Sequence, residues 1–155
     1  MFKLDDEDDV VNAFRPKDRK ALDLTGVTLP MFVRNYLSWQ HPSGSYVYLV
    51  FSAPGGVPTG IVFETNGGPN APVAQMCDWC HQSGVGTQVG LLTAKVTGRR
   101  RVGVHVCSDL SCQAKLEDEA NRSGRSVLPQ WEKLIARIGR FATEALKIDL
   151  SGAGR

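Results

Sequence analysis

The chain has 155 residues, 42% hydrophobic and 22% charged, and a formal net charge of +2. This composition excludes a disordered or fibrous chain and fits one globular domain of ordinary size. No apolar run approaches the roughly 20 residues that cross a bilayer, and the acidic start MFKLDDEDDVV is unlike a secretory leader, so the expected compartment is the cytoplasm.

In chain order, the acidic run Asp5 to Asp9 reads as a solvated, frayed start, and a short helix is expected from Val10 through Phe14, interrupted by Pro16. Tyr46 to Phe51 (YVYLVF) and Gly60 to Glu64 (GIVFE) are rich in aromatic and β-branched residues, and the turn-rich SAPGGVPT between them predicts a β-hairpin. Leu37 to Gln40, around Trp39, is expected to add a third antiparallel strand, and TNGGPNAP to break the sheet. Gln88 to Val96 and Arg101 to Val106, joined by the polar turn TGRR, predict a second hairpin. Ser108 is then the expected N-cap of a helix reaching about Asn121 and stopped by Gly124, with Cys112 in its first turns. From about Pro129, residues Leu128, Trp131, Leu134, Ile135, Ile138, Phe141, Ala142 and Ala145 recur at spacings of three and four, which predicts an amphipathic helix with its apolar stripe in the core.

The four cysteines, Cys77, Cys80, Cys107 and Cys112, fall in two close pairs: Cys-x2-Cys, 26 residues, then Cys-x4-Cys. A reducing compartment disfavours disulfides, whereas two pairs held apart by a hairpin suit tetrahedral closure around one Zn2+ ion in the order knuckle, hairpin, helix. Four thiolates fill the coordination sphere and leave no position for a reacting water, so the expected zinc is structural and the protein is expected not to be an enzyme. His81 and His105 are expected outside the ligand set. CDWCH also matches a c-type haem motif, but that reading leaves Cys107 and Cys112 without a role. Charge divides along the chain: Met1 to Met76 holds six basic against eight acidic residues, and Cys77 to Arg155 twelve against eight. The basic surface therefore accompanies the cysteines.

Taken together, WQHPSGSYVY, GIVFE, QMCDWC, the second hairpin and VCSDLSC resemble the C-terminal treble-clef domain of the elongation factor G-binding proteins, the fusidic-acid-resistance (FusB-type) family. The resemblance covers about Trp39 to Leu116 and places that family's zinc cysteines on Cys77, Cys80, Cys107 and Cys112. It implies binding to elongation factor G, the ribosome, or both. Two departures stand out: the chain has no room for the N-terminal helical bundle of the longer resistance proteins, and the segment after Cys112 is acidic (KLEDE).

The expected fold is α+β: an antiparallel β-sheet with a treble-clef zinc finger and a C-terminal amphipathic helix. Its expected divisions are a partly flexible N-terminal segment over 1–30, the sheet and finger over 31–125, the helix over 126–150 and a loose tail over 151–155. Partner contact is assigned to Arg99, Arg100 and Arg101 at the tip of the second hairpin, with three guanidinium groups for phosphates or an acidic protein face. Trp79, inside the knuckle, reads either as an exposed interface anchor or as a lid over the metal's apolar surroundings, and is grouped with the partner-binding residues. The alternative function is a zinc-dependent RNA- or DNA-binding protein unrelated to the factor.

Overall fold

The computed structural model describes residues 1–65, 74–84 and 88–152. The central element is a five-stranded antiparallel sheet. Its strands are β3 (Tyr36–Gln40), β4 (Tyr46–Phe51), β5 (Thr59–Thr65), β8 (Val89–Lys95) and β9 (Arg101–Cys107), in that spatial order. Both expected hairpins form, with registers such as Leu49↔Ile61 in the first and Leu92↔Val104 in the second. Among the described residues the hairpins are joined by the pairs Glu64↔Thr93 and Thr65↔Leu92. The expected break at TNGGPNAP falls largely on residues 66–73, outside the described residues.

The apolar density of β4 has a simple cause: both faces of the sheet are covered. Val47, Leu49 and Phe51 enter one core with Ile61 and Phe63, while Tyr48 and Val50 enter a second core with Val62. The first core is closed by α3 (Leu128–Arg140), which contributes Trp131, Leu134 and Ile138, and by a single π turn, Phe141–Ala145, that buries Ala142. Leu128, expected in the apolar stripe, is the first residue of the helix and is 60% exposed.

The second core is made by the N-terminal elements. The strands β1 (Phe2–Leu4) and β2 (Met31–Val33) pair antiparallel, and α1 (Glu7–Ala13) and a 3-10 helix, Pro16–Ala21, lie between them in sequence. The acidic run is not a frayed end. Asp6 caps α1 by accepting the Asp9 N–H at 3.0 Å, and Glu7, Asp8 and Asp9 occupy the first turn, where negative charge is favoured. The helix therefore starts three residues before the expected Val10. Phe14 is fully buried over β5 at Gly60, where a Cβ would lie 2.6 Å from the Phe14 ring. Only glycine permits that approach.

Arg15 and Lys17 tie this layer to the second hairpin. Arg15 Nη2 donates to the Lys95 carbonyl at 2.7 Å and Lys17 Nζ donates to that of Val96 at 2.5 Å. Among the described residues, no helix is long and apolar enough to cross a membrane.

Candidate metal centre

The metal centre is built at the end of the sheet where β9 meets the remaining two small strands and α2. Strands β6 (Gln75–Met76) and β7 (Ser83–Gly84) pair and close the loop carrying Cys77 and Cys80. Within it the Cys77 N–H donates to the Gln82 carbonyl and the His81 N–H to that of Cys77, each at 2.9 Å. His81 takes a positive φ of 61°, the turn that lets the chain double back after the second cysteine. The N–H groups of Trp79 and Cys80 both donate to Cys77 Sγ at 3.4 Å. These donors stabilise negative charge on that sulfur.

Cys107 is the last residue of β9, and Cys112 the first of α2 (Cys112–Ser123). The turn between them is closed by the Leu110 N–H donating to the Cys107 carbonyl at 2.9 Å, with Leu110 at a φ of 56°. A buried leucine in this left-handed conformation requires support, and Tyr36 supplies it. The Tyr36 hydroxyl donates to the Leu110 carbonyl and accepts the Gln113 N–H at 3.2 Å. The N-cap of α2 is Ser111, not the expected Ser108, because Ser108 to Leu110 are used for the turn, but Cys112 lies in the first helical turn as expected.

All four cysteines are buried, and their sulfur atoms lie within 4.8 Å of one another. Cys77 and Cys112 are 3.6 Å apart at Sγ, as are Cys80 and Cys107. A tetrahedron with arms of about 2.3 Å has edges of about 3.8 Å, so the four thiols fit one zinc ion. No other group of three or more histidine, cysteine or carboxylate side chains with this geometry occurs among the described residues. His81 and His105 are exposed and lie outside the set. The thiols alone share protons. Hydrogen bonding with Cys107, then Cys112 and Cys80, drives the Cys77 thiol far below the ordinary cysteine range, whereas hydrogen bonding, first with Cys107, holds the Cys112 proton on.

Residues that the spacing did not disclose complete the surroundings. Lys115 Nζ donates to Cys107 Sγ at 3.2 Å. Burial acts to deprotonate Lys115, but the hydrogen bond and charge of Cys107, together with the charges of Cys80 and Asp109, raise its pKa on balance, so the ammonium offsets part of the negative charge of a tetrathiolate zinc site. The available signal is helical: Lys115 is three residues after Cys112 on the same helix face. Arg137 of α3 donates to the Trp79 carbonyl at 2.7 Å.

The partner-binding assignments separate. Arg99 and Arg100 are exposed at the tip of the second hairpin, while Arg101 pairs with Glu64. Of the two readings of Trp79, the exposed anchor, and with it the partner-binding assignment, is corrected, and burial fits the other: Trp79 is 3% exposed, packed edge-to-face against Phe63 at 5.8 Å and Phe141 at 5.9 Å. An indole enclosed by two rings beneath the knuckle offers no surface to a partner.

The centre and its supporting hairpin define a treble-clef zinc finger, in which Cys77, Cys80, Cys107 and Cys112 are positioned to hold one structural zinc. The family model of the FBP C-terminal treble-clef zinc-finger matches residues 8–147, and the chain belongs to that family. Among solved structures it is similar to the fusidic acid resistance protein FusC, with 17% identity and a TM-score of 0.55 over 92% of this chain. The chain spans 58% of the length of FusC, and the likeness is one of fold. No curated protein matches the sequence.

Proposed function

We propose that the chain is a non-catalytic, cytoplasmic binding module of translation, whose partner is elongation factor G, free or on the ribosome. The observation that carries the reading is the membership of the treble-clef family together with a metal site closed by four buried thiols. A filled coordination sphere supports the fold and activates no water, so function is carried by surfaces that the zinc holds in place. Arg99 and Arg100 belong to such a surface: their hairpin is anchored by Cys107 at its base and braced by Arg15 and Lys17 near its tip. Rigid presentation lowers the ordering cost of docking.

The test is co-sedimentation and direct titration of the zinc-loaded chain with elongation factor G and with ribosomes at low and moderate salt. Salt-sensitive association that weakens on Arg99→Ala and Arg100→Ala substitution is expected. Tight binding to free RNA with no affinity for the factor would instead establish a nucleic-acid-binding protein.

A further inference from the structure

A second basic surface, apart from the Arg99–Arg100 tip, lies against the zinc knuckle. The Cys80–Ser83 turn forms one wall of a groove of about 500 Å³, and α2 with the start of α3 forms the other. Arg122 and Arg125 line it from the end of α2, and Arg137 from α3, against one carboxylate, Glu119. Glu119 is already engaged, accepting from Gln82 Nε2 at 2.9 Å. The arrangement is fixed by the chain itself: Gly124 ends α2 at a φ of 68°, and this left-handed cap sets Arg122 and Arg125 on either side of the turn. Arg137 is held by its bond to the Trp79 carbonyl, and that side chain uses only one of its five N–H donors there.

The geometry points to this groove as the seat of an acidic polypeptide segment of the partner, one carrying two or three carboxylates. The inference rests on the reading of the chain as a protein-binding module. Planar guanidinium forks match carboxylates in paired hydrogen bonds, and three of them against one carboxylate leave an excess charge of +2 for the occupant. A nucleic-acid strand fits less well. No phenylalanine, tyrosine or tryptophan lines the groove, so His81 alone offers a ring where a strand needs a stacking surface for successive bases, and Glu119 adds a negative charge beside any phosphate backbone. The neutral donors Gln82, Ser126 and Gln130 on its walls suit the main-chain carbonyls of an extended peptide. Because Cys80 belongs to one wall, the groove exists only while the knuckle is closed, which makes the site zinc-dependent.

The experiment is a nuclear magnetic resonance titration of the zinc-loaded full chain with hexaglutamate and, separately, with hexauridylate RNA. Saturable shifts are expected with hexaglutamate at the amides of His81 to Ser83 and Ser123 to Ser126 and at the Arg122 and Arg125 side-chain N–H groups. The double variant Arg122→Glu, Arg125→Glu, with zinc content and the remaining spectrum preserved, is expected to weaken hexaglutamate at least tenfold. Lys133→Ala, at an exposed α3 residue outside the groove, is expected to leave it unchanged. Absence of shifts, shifts confined to the Arg99–Arg100 tip, equal loss in Lys133→Ala, or tighter binding of hexauridylate to the groove overturns the inference. Full-length elongation factor G is assayed alongside. If the wild-type chain binds the factor and the double variant binds it equally well, the groove is not the partner's seat and the inference fails while the proposed function stands. If the wild-type chain does not bind the factor, the proposed function fails, and the peptide titration still decides the groove.

Discussion

Arg137 donates from Nη1 to the main-chain carbonyl of Trp79 across 2.7 Å, so the C-terminal helix is bonded directly to the loop that carries two zinc ligands. Removing a charged donor from a partly buried carbonyl costs about 1–3 kcal/mol. Arg137→Ala is therefore expected to lower the urea midpoint of the zinc-loaded protein and to speed metal loss to a chelator. An unchanged midpoint together with unchanged zinc release would show that the bond carries no load between helix and knuckle.

Tyr36 supports the second ligand turn as Arg137 supports the first. Burial pushes its phenol pKa well above the ordinary value, so the hydroxyl stays neutral and keeps both its donor and acceptor roles at physiological pH. Tyr36→Phe preserves the ring but leaves the Leu110 carbonyl and the Gln113 N–H without that partner. A loss of about 1–3 kcal/mol in thermal or denaturant unfolding is expected. A neutral result would mean that the turn at Leu110 holds its positive φ without help.

Trp79→Ala removes an indole enclosed by Phe63 and Phe141, and a large-to-small change of this kind costs about 3–5 kcal/mol. Trp79→Phe is expected to cost less. Because the side chain is buried, neither variant should weaken partner binding beyond the fraction of protein unfolded. A Trp79→Phe variant that is fully folded yet binds the factor much more weakly would restore Trp79 as a contact.

Zinc affinity is expected to rise with pH. In the free-thiol cluster the Cys112 and Cys80 protons are held on by hydrogen bonds, first with Cys107, whereas zinc binds all four sulfurs as thiolates. The metal-bound form thus carries fewer protons; raising the pH favours it and lowering the pH releases zinc. Competition with a chromophoric chelator at pH 6 and pH 8 checks the sign, and equal affinity at both would contradict it.

Much of this molecule is legible in the sequence because its information is local. The strand signals in YVYLVF and QVGLLTAKV, the turn TGRR and each of the two cysteine pairs lie within a few residues, and the hairpin between the pairs brings them together at the metal site. The N-terminal layer is less legible. Strands of three residues carry almost no periodic signal, and the acidic run becomes a helix start only because Val10, Ala13 and Phe14 have a second sheet face to cover. The burial of Trp79 depends on Phe63 and Phe141, both distant in sequence, and Lys115 reaches Cys107 only once α2 is placed. The groove at Arg122, Arg125 and Arg137 likewise needs the packing of two helices on the knuckle.

The most direct test of the central claim, a closed tetrathiolate zinc that scaffolds a binding surface, is X-ray absorption at the zinc edge on the purified chain, paired with elemental analysis. One zinc per chain with four sulfur neighbours at about 2.3 Å is expected. A protein prepared with care that contains no zinc, or a spectrum with fewer than four sulfurs and an oxygen or nitrogen in the remaining position, would contradict it. The latter result would open the metal to chemistry.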